Sequence, residues 1–316
     1  MSCRICLSVG KSDDSFCKMH AELSKYATVE MVGLEERDLS GFDIFIGKKM
    51  TEKMLSSADK LKVVFAYKTG VDEFPLKAMK ERGIYLVNSH IDADYIAEYS
   101  FGLSISLVNR ITEFDKKLRR GIWYDEDNPY WKSFFDMKVG LVGYGSIGRH
   151  LHRLLLRNDM DVYTLDRGHE YRDITPLKTL EELCKVCDLL VLSLPKTEET
   201  NNIINKDILK LLKGKYIVNV GRSNCIDQEA LYNALKNKEI GGVANDTWDM
   251  KPKNIREKMN PSQYDFCSLE NIVISPHQAM RVDDGHDRYV EDTTNKVISY
   301  IKNGEMRDIV DLDKGY

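Results

Sequence analysis

Short apolar runs rich in β-branched and aromatic residues recur along the chain, separated by stretches whose apolar positions fall three or four apart. In the first third the runs are "CRICLSV", "DIFIG", "LKVVFAY" and "IYLVN", and the stretches between them include "SFCKMHAELSKY" and "PLKAMKERG". Such alternation of strand and helix is the pattern of a parallel sheet, so a first α/β lobe is predicted to end near residue 95. The segment "DYIAEYSFGLSISLVNRITEFDKKLRRG" reads as one long helical stretch, leading through the aromatic "IWYDEDNPYWKSF" into a second series of strands. These are "KVGLVG", "DVYTLD", "DLLVLSL", "KYIVNV", "GGVAND" and "NIVISP", again with helices between them. The last helix, "DRYVEDTTNKVISYIKNG", is expected to return to the first lobe. The prediction is an α/β protein with doubly wound parallel sheets, residues 1–95 and 285–316 forming one domain and residues 96–284 the other.

Composition narrows the partners. The chain has 316 residues, of which 42% are hydrophobic and 30% charged, and its net charge is −4. That balance gives no electrostatic case for nucleic acid and leaves small molecules as the expected partners. No apolar run approaches the length of a membrane span, and "MSCRICLSVGKSDD" lacks a cleavable apolar region, so a cytosolic protein is expected. Seven cysteines in such a chain predict reduced thiols. Cys3 and Cys6 fall on a strand, where positions three apart face opposite sides. Cys184 and Cys187 could share a helix face but have no second pair at zinc spacing. Buried structural thiols, and no metal site, are the expectation.

The strongest chemical signal is "KVGLVGYGSIGRHLHRLLL", in which Gly143, Gly145 and Gly148 form GxGxxG between a strand and a helix that carries Ile147, Leu151, Leu154 and Leu155 on one face. The first glycine permits a tight turn, the second lets the backbone approach a pyrophosphate, and the third allows helix and strand to pack closely. Backbone N–H groups at the helix start then bind the anion. A second strand ends in Asp166, placed to bind ribose hydroxyls and to repel a 2′-phosphate. NAD is therefore the expected cofactor, with NADP the lesser alternative that the adjacent Arg167 would suit. Three further strands end in Arg222, Asp246 and His277. In open parallel sheets the ligand crevice lies beyond the carboxyl ends of strands. An arginine to anchor and polarise an α-keto acid, and an imidazole to exchange the hydroxyl proton, make a working set for hydride transfer. Taken singly, each of the three could instead be an ordinary turn or strand-end residue.

The motifs "GYGSIG", "VGRSNCIDQEAL" and "SPHQAM", in this order and at these separations, resemble the D-isomer specific 2-hydroxyacid dehydrogenases, and the resemblance runs over nearly the whole chain. It implies two Rossmann-like lobes, a discontinuous substrate domain and a homodimer formed through the nucleotide lobes. It assigns Ser146 and Ile147 to the phosphate turn, Leu194, Pro195 and Thr200 to the adenosine side, and Val220, Gly221 and Asp246 to the nicotinamide side. It also makes Arg222 the substrate anchor, His277 the acid/base, and the backbone of Lys68, Thr69 and Gly70 the holder of the substrate carboxylate. The chain's length leaves no further regulatory domain expected after the last helix. Formate or phosphite dehydrogenation is a less favoured reading within enzymes. An NAD(H)-sensing scaffold with weakened catalysis is the alternative from another class.

Three positions depart from the family pattern. A glutamate usually stands five residues after the aspartate that is here Asp246, and "DTWDMK" places Lys251 there, with Asp249 two residues earlier as a substitute carboxylate. A cation close to His277 would lower the imidazole pKa, whereas a glutamate would raise it; a solvent-facing Lys251 would do neither. Tyr67 and Lys68 occupy a loop that is small and glycine-rich in relatives, and an inward Lys68 would favour substrates with a second negative charge. Met280 stands where glycine is common, narrowing the pocket mouth.

Overall fold

A computed structural model describes residues 3–10, 13–123, 130–168, 170–254 and 256–316. Residues 124–129 of the aromatic stretch fall outside them. The chain divides into two compact units, residues 1–92 with 281–316 and residues 93–280. The expected joints were at 95 and 285; the helix starting at Ala93 belongs wholly to the second unit, and the segment from Arg281 to the first.

The first unit begins with β1 (Arg4–Ser8), α1 (Asp14–Leu23), β2 (Thr28–Val32), β3 (Ile44–Gly47), α2 (Glu52–Ser57), β4 (Val63–Ala66), α3 (Leu76–Glu81) and β5 (Tyr85–Val87). The second holds α4 (Ala93–Val108), α5 (Ile111–Arg119), β6 (Val139–Val142), α6 (Ser146–Leu156), β7 (Val162–Leu165), β8 (Thr175–Leu177), α7 (Leu180–Val186), β9 (Leu189–Leu192), α8 (Lys206–Leu211), β10 (Tyr216–Asn219), α9 (Gln228–Lys236), β11 (Gly242–Asn245) and β12 (Ile272–Ile274). The final helix, α10 (Gly285–Asn303), packs on α1 and β4 and so returns to the first unit.

Both sheets are parallel throughout. The first has the order β2-β1-β3-β4-β5 and the second β12-β11-β10-β9-β6-β7-β8. Their central strands are buried on both faces, which is why they read as unbroken apolar runs. In the second sheet, Leu141, Val191, Val218 and Ala244 pack towards α4 and α6, while Val142, Leu190, Ile217 and Val243 pack towards α7, α8 and α9. Leu151 and Leu155 of α6 are fully buried, with Ile147 and Leu154 partly so, as the helical face predicts.

Three elements differ from the sequence reading. β2 and β8 are edge strands that the apolar pattern did not mark, the first mostly exposed and the second containing a proline. The single long helical segment is two helices, broken where Arg110 adopts φ 57° before α5. Among the described residues no helix is long and apolar enough to cross a membrane, and no cluster of three or more metal-ligating side chains occurs.

Cys6, Cys184, Cys187 and Cys225 are buried, Cys3 is half-buried, and Cys17 and Cys267 are exposed. Burial pushes the Cys184 and Cys187 thiols up to about 12, so neither is a nucleophile at neutral pH. Titration of the native protein with Ellman's reagent should show fast reaction at Cys17 and Cys267 and slow reaction at Cys3, with all seven thiols reacting after denaturation. Fast labelling of Cys184 or Cys187 would contradict this packing.

Candidate active site

The glycine triplet forms a tight cradle between β6 and α6. Gly143 has φ 112°, a conformation that side chains avoid, and a Cβ on Gly148 would sit 2.2 Å from the Gly143 carbonyl oxygen. Around Gly145, the N-cap of α6, a Cβ would meet nothing within 4 Å, and no side chain caps the helix. The first-turn N–H groups at Ser146 and Ile147 have no partner within the helix, the arrangement that an anion site uses. Two supports were not visible in the sequence. Ser193 donates its hydroxyl to the Gly143 carbonyl at 3.1 Å. Tyr144 lies 2.8 Å from Nδ1 of buried His152, whose Nε2 is 2.9 Å from the Asp173 carbonyl. A carbonyl only accepts, so Nε2 carries the proton in neutral His152 and Nδ1 accepts from Tyr144.

Asp166 follows β7, and its Oδ1 accepts from the Gly168 amide at 3.0 Å. Tyr171 braces the same turn, donating to the Leu165 carbonyl and accepting from the Arg167 amide. Beside it lies a cavity of about 420 Å³ lined by Leu165, Asp166, Arg167, Lys178, Ile203 and Asn205. The sequence pointed to Asp166 and Arg167 but not to Lys178, Ile203 or Asn205. Leu194 and Pro195 follow β9, and Thr200 closes their loop by donating to the Pro195 carbonyl at 2.8 Å. The cradle, the carboxylate and the adjoining cavity together fit a dinucleotide.

Arg222 is delivered by a turn after β10 that a buried side chain shapes. Asn219 accepts from the Gly221 amide at 3.1 Å and donates to the Arg222 carbonyl at 3.1 Å. Val220 and Gly221 are buried, and the Arg222 guanidinium donates to the Gly221 carbonyl at 3.0 Å.

Asp246, at the end of β11, is 1% exposed. It accepts from Ser275 Oγ, from the Gln278 amide at 2.8 Å and from the Ala279 amide at 3.1 Å. The expected place for it at the cofactor is left with one lone-pair direction of Oδ2. His277 lies within the segment so held and has φ 58°. Burial lowers its pKa below the ordinary 6.5; the Lys251 ammonium and then Arg222 lower it further, while Asp246 acts in the opposite sense. Lys251 is exposed, on a loop near enough for its charge to act on His277. Asp249 is exposed, and Met280 is half-buried against the unit's core.

In the first unit the loop after β4 is held from within. Thr69 Oγ1 lies 2.8 Å from the Ser89 carbonyl, 2.9 Å from Asp92 Oδ1 and 2.8 Å from the Tyr289 hydroxyl, and the Asn88 side chain donates to the Thr69 carbonyl. The threonine side chain is thus spent on its own fold. Lys68 is not a spare cation: it pairs with Glu73 and lies 5.5 Å over the Phe74 ring. The ammonium expected to select a second negative charge is thus already matched by Glu73. The Thr69 amide also bonds the Tyr289 hydroxyl. Tyr67 is buried and donates to the Ser8 carbonyl at 3.0 Å.

Comparison with known proteins agrees with this arrangement. A glyoxylate reductase of Thermofilum pendens is 30% identical over 280 residues, covering 85% of this chain and 80% of its own. The crystal structure of a Pyrococcus horikoshii protein superposes with a TM-score of 0.83 at 27% identity, covering 98% of this chain and 96% of that one. An NADPH-dependent glyoxylate/hydroxypyruvate reductase of Sinorhizobium meliloti, in complex with NADP and malonate, shares the fold with a TM-score of 0.81 at 22% identity, over 99% and 98% of the two chains. Residues 101–279, more than half of the chain, match the family model for the NAD binding domain of D-isomer specific 2-hydroxyacid dehydrogenases. With the glycine cradle, Arg222 and His277 in place, the chain belongs to the D-isomer specific 2-hydroxyacid dehydrogenase family.

Proposed function

We propose that this enzyme interconverts a small D-2-hydroxy acid and its 2-keto acid with NAD as cofactor, Arg222 anchoring the substrate and His277 serving as acid/base. The observation that carries the reading is the delivery of Arg222 and His277 from strand ends of the same sheet, close enough for the arginine to act on the imidazole, beside the glycine cradle. When bound, the dinucleotide supplies the hydride acceptor or donor. Gly143 to Gly148 would hold its pyrophosphate, Asp166 its ribose, and Leu194, Pro195, Thr200, Val220 and Gly221 would flank it. Asp166 favours NAD; Arg167 and Lys178, lining the same cavity, would suit a 2′-phosphate and keep NADP as the lesser alternative.

Arg222 would bind the substrate carboxylate and draw electron density from the carbonyl oxygen. His277 would give its proton to that oxygen during reduction and take it back during oxidation. The backbone of the loop Lys68, Thr69 and Gly70 would bind the carboxylate, a role that needs no side chain. Lys251 in place of a glutamate favours the neutral imidazole, the base form that oxidation of the hydroxy acid needs. Buried thiols suit a reducing, cytosolic setting.

A homodimer completes the reading. Helix α5 has no buried residue although Ile111, Phe114 and Leu118 share one face, and Ile111, Leu118, Trp123, Trp131 and Phe135 of the same unit are exposed. Isolated exposed apolar groups are ordinary, but this many in one stretch of the chain supports an association face there.

NADH oxidation should be followed against glyoxylate, hydroxypyruvate, pyruvate, oxaloacetate and longer 2-keto acids. Turnover of at least one is expected, with Arg222→Gln lowering kcat/KM about 10²–10³-fold. Tight NADH binding without turnover of any would instead favour a sensing scaffold. Reduction needs protonated His277, whose pKa is lowered, so its rate should fall as pH rises through a value below the ordinary imidazole range. Lys251→Glu should move that fall to higher pH, and an unmoved profile would remove Lys251 from the mechanism. In sedimentation velocity the wild type should run as a dimer and Leu118→Asp as a monomer; a wild-type monomer would end the dimer reading.

A further inference from the structure

The turn after β7 spends its own donors. Asp166 Oδ1 accepts from the Gly168 amide at 3.0 Å, and the Tyr171 hydroxyl accepts from the Arg167 amide at 2.6 Å while donating to the Leu165 carbonyl at 3.1 Å. The two backbone N–H groups that follow Asp166 are thus both committed. A hydroxyl has one hydrogen, and that of Tyr171 goes back into the turn.

Tyr171 does not keep this place unaided. Its ring packs on that of Tyr144, with centroids 5.9 Å apart, and both rings lie against the buried core of their unit. Tyr144 stands between Gly143 and Gly145 and donates to Nδ1 of buried His152, whose Nε2 donates to the Asp173 carbonyl. Asp173, two residues after Tyr171, has φ 57°, a left-handed conformation that non-glycine residues seldom keep unless their surroundings hold them there. The tyrosine is therefore held by its ring, through the glycine turn, and by its backbone, through a histidine of α6.

We propose that Tyr171 is a specificity-determining residue for the cofactor: by taking the Arg167 amide, while Asp166 takes that of Gly168, it closes both amides to a 2′-phosphate and makes NAD the cofactor of this chain. The inference rests on this turn holding the adenosine ribose. The two cofactors ask for opposite partners there. A ribose diol donates to a carboxylate, which Asp166 provides, whereas a 2′-phosphate only accepts and is bound by N–H groups and cations. Arg167 and Lys178 supply cations beside the cavity, but they share it with the Asp166 carboxylate. Side-chain charge is thus balanced, and the committed amides tip the choice. Asp166 and Arg167, adjacent in the sequence, leave that choice open; the tyrosine four residues beyond Arg167 closes it.

Fluorescence titration of the whole chain with NADH and NADPH measures the choice without a substrate. The wild type should bind NADH the tighter. Tyr171→Phe keeps a ring on Tyr144 and frees the Arg167 amide, so its NADPH dissociation constant should fall about 10-fold, the worth of one hydrogen bond to a charged group, while that for NADH changes less than about threefold. A tyrosine that merely props the fold would instead weaken both cofactors alike in this variant, which overturns the proposal. In ¹H–¹⁵N spectra, adenosine 2′,5′-bisphosphate should leave the wild-type Arg167 amide where adenosine 5′-monophosphate leaves it, and should move it downfield in Tyr171→Phe. A wild type that prefers NADPH, or an unchanged ratio of the two dissociation constants in Tyr171→Phe, overturns the proposal and leaves the dinucleotide reading intact. Binding of neither cofactor to the folded wild type would sink that reading and the proposal with it. If circular dichroism shows Tyr171→Phe unfolded, the wild-type Arg167 amide decides: a downfield shift with the bisphosphate that the monophosphate does not produce overturns the proposal.

Discussion

Parallel pairing is the constraint on which the rest depends. Every strand pair in both sheets runs the same way, so all the carboxyl ends of a sheet open on one edge. Strands buried on both faces have no room for polar side chains along their length, and the chemistry is pushed to the residues just past their ends. Gly143 after β6, Asp166 after β7, Leu194 beyond β9, Arg222 beyond β10, Asp246 after β11 and His277 beyond β12 are all placed by this one rule. Distances along the chain that look arbitrary become neighbouring positions on a single edge. The strand-end residues are therefore placed by the sheet, while the turns that carry them are shaped by local bonds such as those of Asn219 and Asp246.

Much of this was legible before any coordinates, for the same physical reason. Central parallel strands such as "VVFA" and "LLVL" are unmistakable apolar runs, and the glycines of the phosphate turn have identifiable steric jobs. Edge strands were not, because "TVEMV" buries little and "TPL" carries a proline. The break at Arg110 left no mark, since the left-handed residue there is neither glycine nor asparagine. Among the site residues, those at strand ends were found, and the ones that act by holding others were missed. Asn219, Ser193 and Tyr99 make their bonds to backbone or to residues far away in the chain, and nothing in a linear pattern marks a long-range hydrogen bond. Lys68 went the other way: its charge was evident, but its pairing with Glu73 depends on a loop conformation.

His277 sits under opposing demands. Burial and two cations favour its neutral form, and one buried carboxylate favours the charged form. That carboxylate is already committed to the loop's backbone, so its position cannot be adjusted to tune the imidazole without unfastening the turn. The adjustable element is the exposed one, Lys251, whose side chain can change identity without disturbing packing. The variable part of the electrostatic setting thereby falls to a residue on a solvent-facing loop, and the part tied to the loop's geometry to one in the core.

The placement of tryptophan has an optical consequence. Of the three in the chain, Trp123 and Trp131 are 72% and 56% exposed on the apolar stretch near α5, while Trp248 is 6% exposed, with its indole nitrogen bonded to the Ser275 carbonyl beside the Phe266 ring. In a single protomer an aqueous quencher reaches the first two and not the third. Emission that survives quenching comes from Trp248, bonded to the segment that carries His277, and emission that is lost comes from the apolar stretch near α5, so the unlabelled protein holds separate fluorescent reporters for that turn and for its surface.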